Sequence, residues 1–261
     1  MKEIFEHRIV QSNPFTEWFA RGDANEEQVA DLLMQFSVFS NHFLVAQVKR
    51  MVNAGTLEGE RAARNILVSE LGVGIDRAGS PEGRTFSTNN AHINWLRDCA
   101  AGMGIDPAEL GRWRNASPST KRFLTLLDRS YGSEDPMIGA GASFAIETWA
   151  AFGIGAGPEL EPRNFWKQLI RGLEAFNSGR ERPLPLGFFK YHFQLESGHG
   201  ANVQHELEQA REQPDFDERR FLMGGRRALA AIETFWVGLD ESRRRLDCDT
   251  LASVNVAQWA V

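Results

Sequence analysis

Cysteine is nearly absent from this 261-residue chain: Cys99 and Cys248 stand far apart and form no Cys-x-x-Cys pair. That excludes a disulfide framework and a thiolate metal cluster, and it fits a reducing compartment. Long apolar runs are missing as well, since no stretch approaches the roughly 18 uninterrupted apolar residues of a membrane span. The opening MKEIFEHRIV carries acids and lacks the apolar core of a leader. A cytoplasmic protein without a membrane span is therefore expected. There is no basic excess either. The net charge is -6 and the isoelectric point about 5.6, and basic runs such as Arg243 to Arg245 are interleaved with acids, so a nucleic-acid partner is not expected. No alternating strand pattern of useful length and no internal repeat occurs, which leaves helix as the main element.

What is present is helical periodicity, in a chain whose 42% hydrophobic content supports a sizeable core. Residues 2 to 22 read as a short amphipathic helical region broken near Asn13 and Pro14, with Phe15, Trp18 and Phe19 as a docking face. Asn25 is a good N-cap for a long helix that ends at Gly55, and Thr56 opens a third that stops around Gly72 to Gly74. A loop rich in Gly, Ser, Thr and Asn follows, and then a fourth helix from about Thr88 through His92 and Trp95 to Met103. Pro107 and Pro118 flank a turn-rich connection. Beyond it, helices are expected over STKRFLTLLDRSYG, over the apolar stretch 136–156, and over EPRNFWKQLIRGLEAFN. The last long helix runs from about Asp217 to Leu246 with a bend at Gly224 and Gly225, and the tail from Cys248 has no clear pattern. One all-helical domain over residues 1–261 is the economical description.

The chemistry concentrates in FFKYHFQLESGHGANVQ, residues 188 to 204, where His192, Glu196 and His199 stand at i, i+4 and i+7. At about 3.6 residues per turn they share one helical face, so two imidazoles and a carboxylate point into the same space. The apolar residues between them imply burial on more than one side. Buried charges then need partners or a metal, and both a metal site and a satisfied polar cluster stay open from this segment alone. Gly198 and Gly200 suggest close approach of another backbone. Elsewhere, Glu147 is the one ionisable residue in the apolar stretch 136–156, and Glu70 lies near a helix end. With His92 the set reaches three carboxylates and three imidazoles, a mixture that suits iron or manganese better than zinc and is large enough for two ions.

The helical order, NPFTEWFARGDANEEQVADLLMQF near the start, AHINWLRDCAAGMGID in the middle and the H-x3-E-x2-H stripe together resemble the heme-oxygenase-like diiron oxidases and oxygenases. These are relatives of the TenA thiaminase and PqqC scaffold and of the chlamydial death-domain-associating protein. The resemblance covers roughly residues 10 to 240 and implies an all-α, heme-oxygenase-like bundle. It implies metal ligation by Glu70 in SELGVG, His92 in AHINWL, Glu147, His192, Glu196 and His199, with Glu70, Glu147 and His192 as the catalytic members. It also implies two Fe(II) per chain, O2 as cosubstrate, and a small organic substrate such as a fatty acid, an amino acid or a nitrogen-containing metabolite. Scaffold relatives often dimerise through helices.

The chain departs from the pattern in two places. Glu70 and His92 are separated by the glycine-rich loop, where Asp76 competes as a ligand, and Glu196 stands where some members have Asp. His42, Phe39, Phe43, Phe144, Trp149 and Tyr191 are candidate pocket residues, each with ordinary core packing as its alternative. An arginine that clamps a substrate carboxylate is expected for an acid substrate, and the sequence does not single one out. Two other readings stand beside the oxidase: a non-redox module that binds a small molecule or a protein, and a TenA-like hydrolase with Cys99 as nucleophile.

Overall fold

Local capping chemistry fixes where most helices begin. Asn13, Asn25, Thr56, Ser117, Asp135 and Asn164 each accept a hydrogen bond from a backbone N–H in the first turn of the helix that follows. Donors left over at those termini are thereby satisfied. Pro14, Pro118 and Pro136 sit in first-turn positions that need no N–H. At Asn25 the cap is reciprocal, because the Gln28 side chain accepts from the Asn25 N–H while Asn25 accepts from the Gln28 N–H. Asn25→Ala is expected to cost about 1 kcal/mol, read as a fall of ~2–4 °C in thermal midpoint. An unchanged midpoint would show that packing alone holds this terminus.

In this computed structural model, residues 1–72, 91–212 and 214–258 are described, with side chains at 197–206, 209–210 and 249–258 left aside. The helices are α1 (Lys2–Phe5), α2 (Arg8–Gln11), α3 (Pro14–Phe19), α4 (Glu26–Val52), α5 (Leu57–Glu70), α6 (His92–Ala101), α7 (Pro118–Ser130), α8 (Pro136–Ala151), α9 (Phe165–Asn177), α10 (Gly187–Glu212) and α11 (Glu218–Gln258). No strand occurs among the described residues. α11 packs along α8 and α7, α4 lies beside α5 and α7, and α10 runs against α8, α9 and α6.

An aromatic core joins these layers. Phe36 meets Trp166, Phe188, Phe189, Phe235 and Trp236 at ring separations of 5.7 to 6.2 Å. Each fully buried aromatic of this kind contributes on the order of 1.5–3 kcal/mol by leaving water. α4 is long and apolar enough by length and composition to cross a bilayer, yet half of its most apolar window is buried inside the bundle. Its burial against α5, α7 and α11 is the behaviour of a core helix.

The structure corrects two details. α6 begins at His92, because Ala91 is extended at φ -56°, ψ 132°; the region around Thr88 lies outside the described residues. The segment from Cys248 continues α11 as helix to Gln258. α11 is continuous through Gly224 and Gly225. They mark where α8 and α11 touch: a Cβ on Gly224 would strike the carbonyl of Ile138, and one on Gly141 of α8 would strike the carbonyl of Phe221. This is backbone approach that only glycine allows.

Candidate metal centre and the cavity around it

Three helix positions bring the central group together. Glu70 is the last residue of α5, His92 the first of α6, and His192 lies in the second turn of α10. His92 Nδ1 stands 3.1 Å from Glu70 Oε2, and His192 Nε2 stands 3.5 Å from Glu70 Oε1. One ligand atom from each residue lies within 4.8 Å of the others, the distance range of donors sharing one ion. Both imidazoles are almost fully buried, while the Glu70 side chain keeps 14% of its exposure.

The surroundings fix the ring orientations. His192 Nδ1 donates to the Phe188 carbonyl at 2.7 Å, one turn earlier on the same helix. That leaves Nε2 facing Glu70, the arrangement by which a second contact selects the ligating nitrogen. Trp166 stacks on the His192 ring at 4.9 Å and Trp95 on the His92 ring at 5.5 Å. The two imidazoles meet edge to face at 4.7 Å.

His92 Nδ1 is buried and makes no hydrogen bond, although it stands 3.1 Å from Glu70 Oε2. A buried ring nitrogen without a hydrogen bond, beside an ionised carboxylate and a second imidazole, fits a divalent cation. Burial by itself would push the Glu70 carboxyl up, but His192 and then His92 outweigh it and hold it at about 2. Burial likewise opposes charging of His192, and Glu70, the Phe188 carbonyl and Glu196 overcome it and raise that imidazole. Without metal, Glu70 and His192 each favour the charged form of the other. A bound cation would compete with protons for the same atoms.

Glu147 and Glu196 border the same cavity as Glu70 and His192. His199 lies one turn beyond Glu196 on α10, and its side chain, like Gly198, Gly200 and the whole of Asp76, lies outside the described residues. The cavity has a volume of about 960 Å³ and runs between α4, α5, α8 and α10, with Phe36, Phe39, Phe43, Phe144, Trp149 and Phe188 among its walls.

His42 does not line this cavity. It packs against Trp113 at 5.4 Å, turned about 100° around α4 from Phe43. Tyr191 is also not a wall residue; it buttresses His92 at 4.9 Å and Trp95 at 4.8 Å. Cys99 is fully buried, does not reach the cavity, and has its thiol pushed up to about 12 by that burial. A nucleophilic thiolate there is excluded at neutral pH. The sequence reading passed over Trp166, which stacks on His192 from another helix with no local signal. It also passed over the Phe188 carbonyl, which the four-residue spacing to His192 could have indicated.

No family model matches the chain, and no curated protein is significantly similar to it. Solved structures are similar along nearly its whole length. A CADD-like protein of unknown function from Nostoc punctiforme aligns with a TM-score of 0.64 at 17% identity, over 93% of this chain and 94% of that one. A domain of unknown function with a heme oxygenase-like fold from Shewanella denitrificans aligns with a TM-score of 0.62 at 15% identity, over 92% of this chain and 88% of that one. This chain has a heme oxygenase-like fold. At such identities the likeness speaks to the fold, and the chemistry rests on this chain's own side chains.

Proposed function

We propose that this heme oxygenase-like protein is a nonheme dinuclear iron oxidase or oxygenase that uses O2 to oxidise a small organic molecule. The observation that carries the reading is the convergence of Glu70, His92 and His192 at the wall of an aromatic cavity. Glu70, His92 and His192 would hold one ion. Glu147, Glu196 and His199 are the proposed ligands of the second, and Glu70 and Glu147 face the shared space as carboxylates able to bridge or to move a proton. Bound Fe(II) would supply the electrons for O2 activation.

The chain's own part is positional. The Phe188 carbonyl keeps a proton on His192 Nδ1, so that Nε2 serves as the ligand. Trp166 and Trp95 hold the imidazole planes. Phe36, Phe39, Phe144 and Trp149 exclude water and guide an apolar substrate toward the carboxylates.

The test is anaerobic Fe(II) titration of the metal-free protein followed by O2 exposure in a stopped-flow spectrometer. Saturation at about two irons per chain and a transient visible band are expected. Absence of saturable iron binding would sink the reading and leave a metal-free binding module on the same scaffold.

A further inference from the structure

One buried charge in the cavity wall lies outside the carboxylate–imidazole group. Arg50, near the end of α4, lines the cavity and is only 8% exposed. Its Nε is buried without a hydrogen bond, and its guanidinium makes no ion pair among the described residues. Glu58, Arg61, Glu212 and Asp215 also border the cavity, but all four are exposed and none pairs with Arg50. A guanidinium stays charged at every accessible pH, and burying one without an anion is strongly unfavourable. Such a group is kept where an anion arrives from outside.

Glycines of two neighbouring helices lie beside it. A Cβ on Gly59 would lie 3.7 Å from Arg50 Nη2, and one on Gly139 would lie 3.4 Å from its Cδ. These contacts place the Arg50 side chain beside α5 and α8. They also locate it relative to the metal group. At about 1.5 Å per residue, the intervals from Gly59 to Glu70 on α5 and from Gly139 to Glu147 on α8 span roughly 12–16 Å. Phe43, Phe39 and Phe144 line the cavity with both ends.

We infer that Arg50 anchors the carboxylate of an elongated apolar acid, whose chain runs past Phe43, Phe39 and Phe144 and presents a carbon remote from the carboxylate to Glu70 and His192. The assignment of that end as the reacting end rests on the diiron reading above; the anion anchor itself does not. A planar fork receives a carboxylate through two parallel hydrogen bonds, and the aromatic walls accept the chain without a directional demand. A short, doubly charged amino acid would leave most of this length unfilled.

Dodecanoate and dodecanol are suitable probes, titrated calorimetrically into the metal-free full-length protein. Dodecanoate is expected to bind saturably to the wild type, and Arg50→Met to weaken it on the order of 30-fold or more. Dodecanol should bind the wild type more weakly than dodecanoate and be nearly indifferent to the substitution. Arg50→Lys, which keeps the charge and loses the fork, should fall between, and it keeps the test decisive if the methionine variant folds poorly. Undiminished dodecanoate binding in both variants, equal binding of the alcohol and the acid, or no binding of the acid at all would overturn the anchor. Iron loading of the same variants is titrated separately. Loss of the iron reading then leaves the anchor standing, and loss of the anchor leaves the iron reading standing.

Discussion

Glu70→Gln is expected to weaken Fe(II) binding by on the order of 100-fold or more, since removal even of a group supporting a ligand costs 10–100-fold. The amide keeps the shape of Glu70 and removes the charge that both imidazoles face at 3.1 and 3.5 Å. In the wild type, Fe(II) at a hundred times its Kd should add about 2.7 kcal/mol to stability, a rise of ~5–10 °C in thermal midpoint. In Glu70→Gln that gain should shrink to about 0.4 kcal/mol or less. A variant still stabilised by Fe(II) like the wild type would remove Glu70 from the site.

The metal-free protein offers an independent readout of the same residue. Glu70 titrates at about 2 in the folded chain against 4.5 unfolded, so its contribution is present above pH 4.5 and is lost as pH falls toward 2. His192 is raised above 6.5, so its contribution is present below 6.5 and is lost as pH rises through the raised value. The pair therefore stabilises the metal-free fold most between about pH 4.5 and 6.5. Glu70→Gln should flatten that maximum, which urea melts across the pH range would reveal.

Gly141→Ala is expected to destabilise the fold by about 2–3 kcal/mol, although alanine is the better helix former by ~1 kcal/mol. The new Cβ meets the carbonyl of Phe221, a backbone atom that cannot rotate away, at the contact between the longest helix and the most apolar one. Separating α8 from α11 there also disturbs Glu147, two turns along α8, and Phe144, which packs on Phe221 at 5.6 Å. Gly187, the first residue of α10, is the control, because a Cβ there has open space around it. Gly187→Ala should leave stability within about half a kcal/mol of the wild type. Equal midpoints for the two variants would mean that the α8–α11 contact is looser than its geometry.

The sequence by itself determined the helical class, most helix starts and the shared face of His192 and Glu196, because each depends on residues within one turn. Asn25 with Gln28, Thr56 with Gly59, and Ser117 with Thr120 are local hydrogen-bonded pairs that any reader of the chain can locate. The tail after Cys248 lacked an apolar period, and its helical continuation follows from propagation of α11, which needs no new nucleus. Tertiary structure alone decided which faces meet. His42 and Phe43 are neighbours in sequence, yet the roughly 100° turn per residue sends one to Trp113 and the other into the cavity. Tyr191 adjoins His192 in the chain and supports His92 instead. The closeness of Glu70 to His92 across the glycine-rich loop, the stacking of Trp166 on His192, and the burial of Arg50 without an ion pair among the described residues depend on where α4, α5, α6, α9 and α10 come to rest. Those positions are set by long-range packing, such as the glycine contact of α8 with α11, which no local pattern encodes.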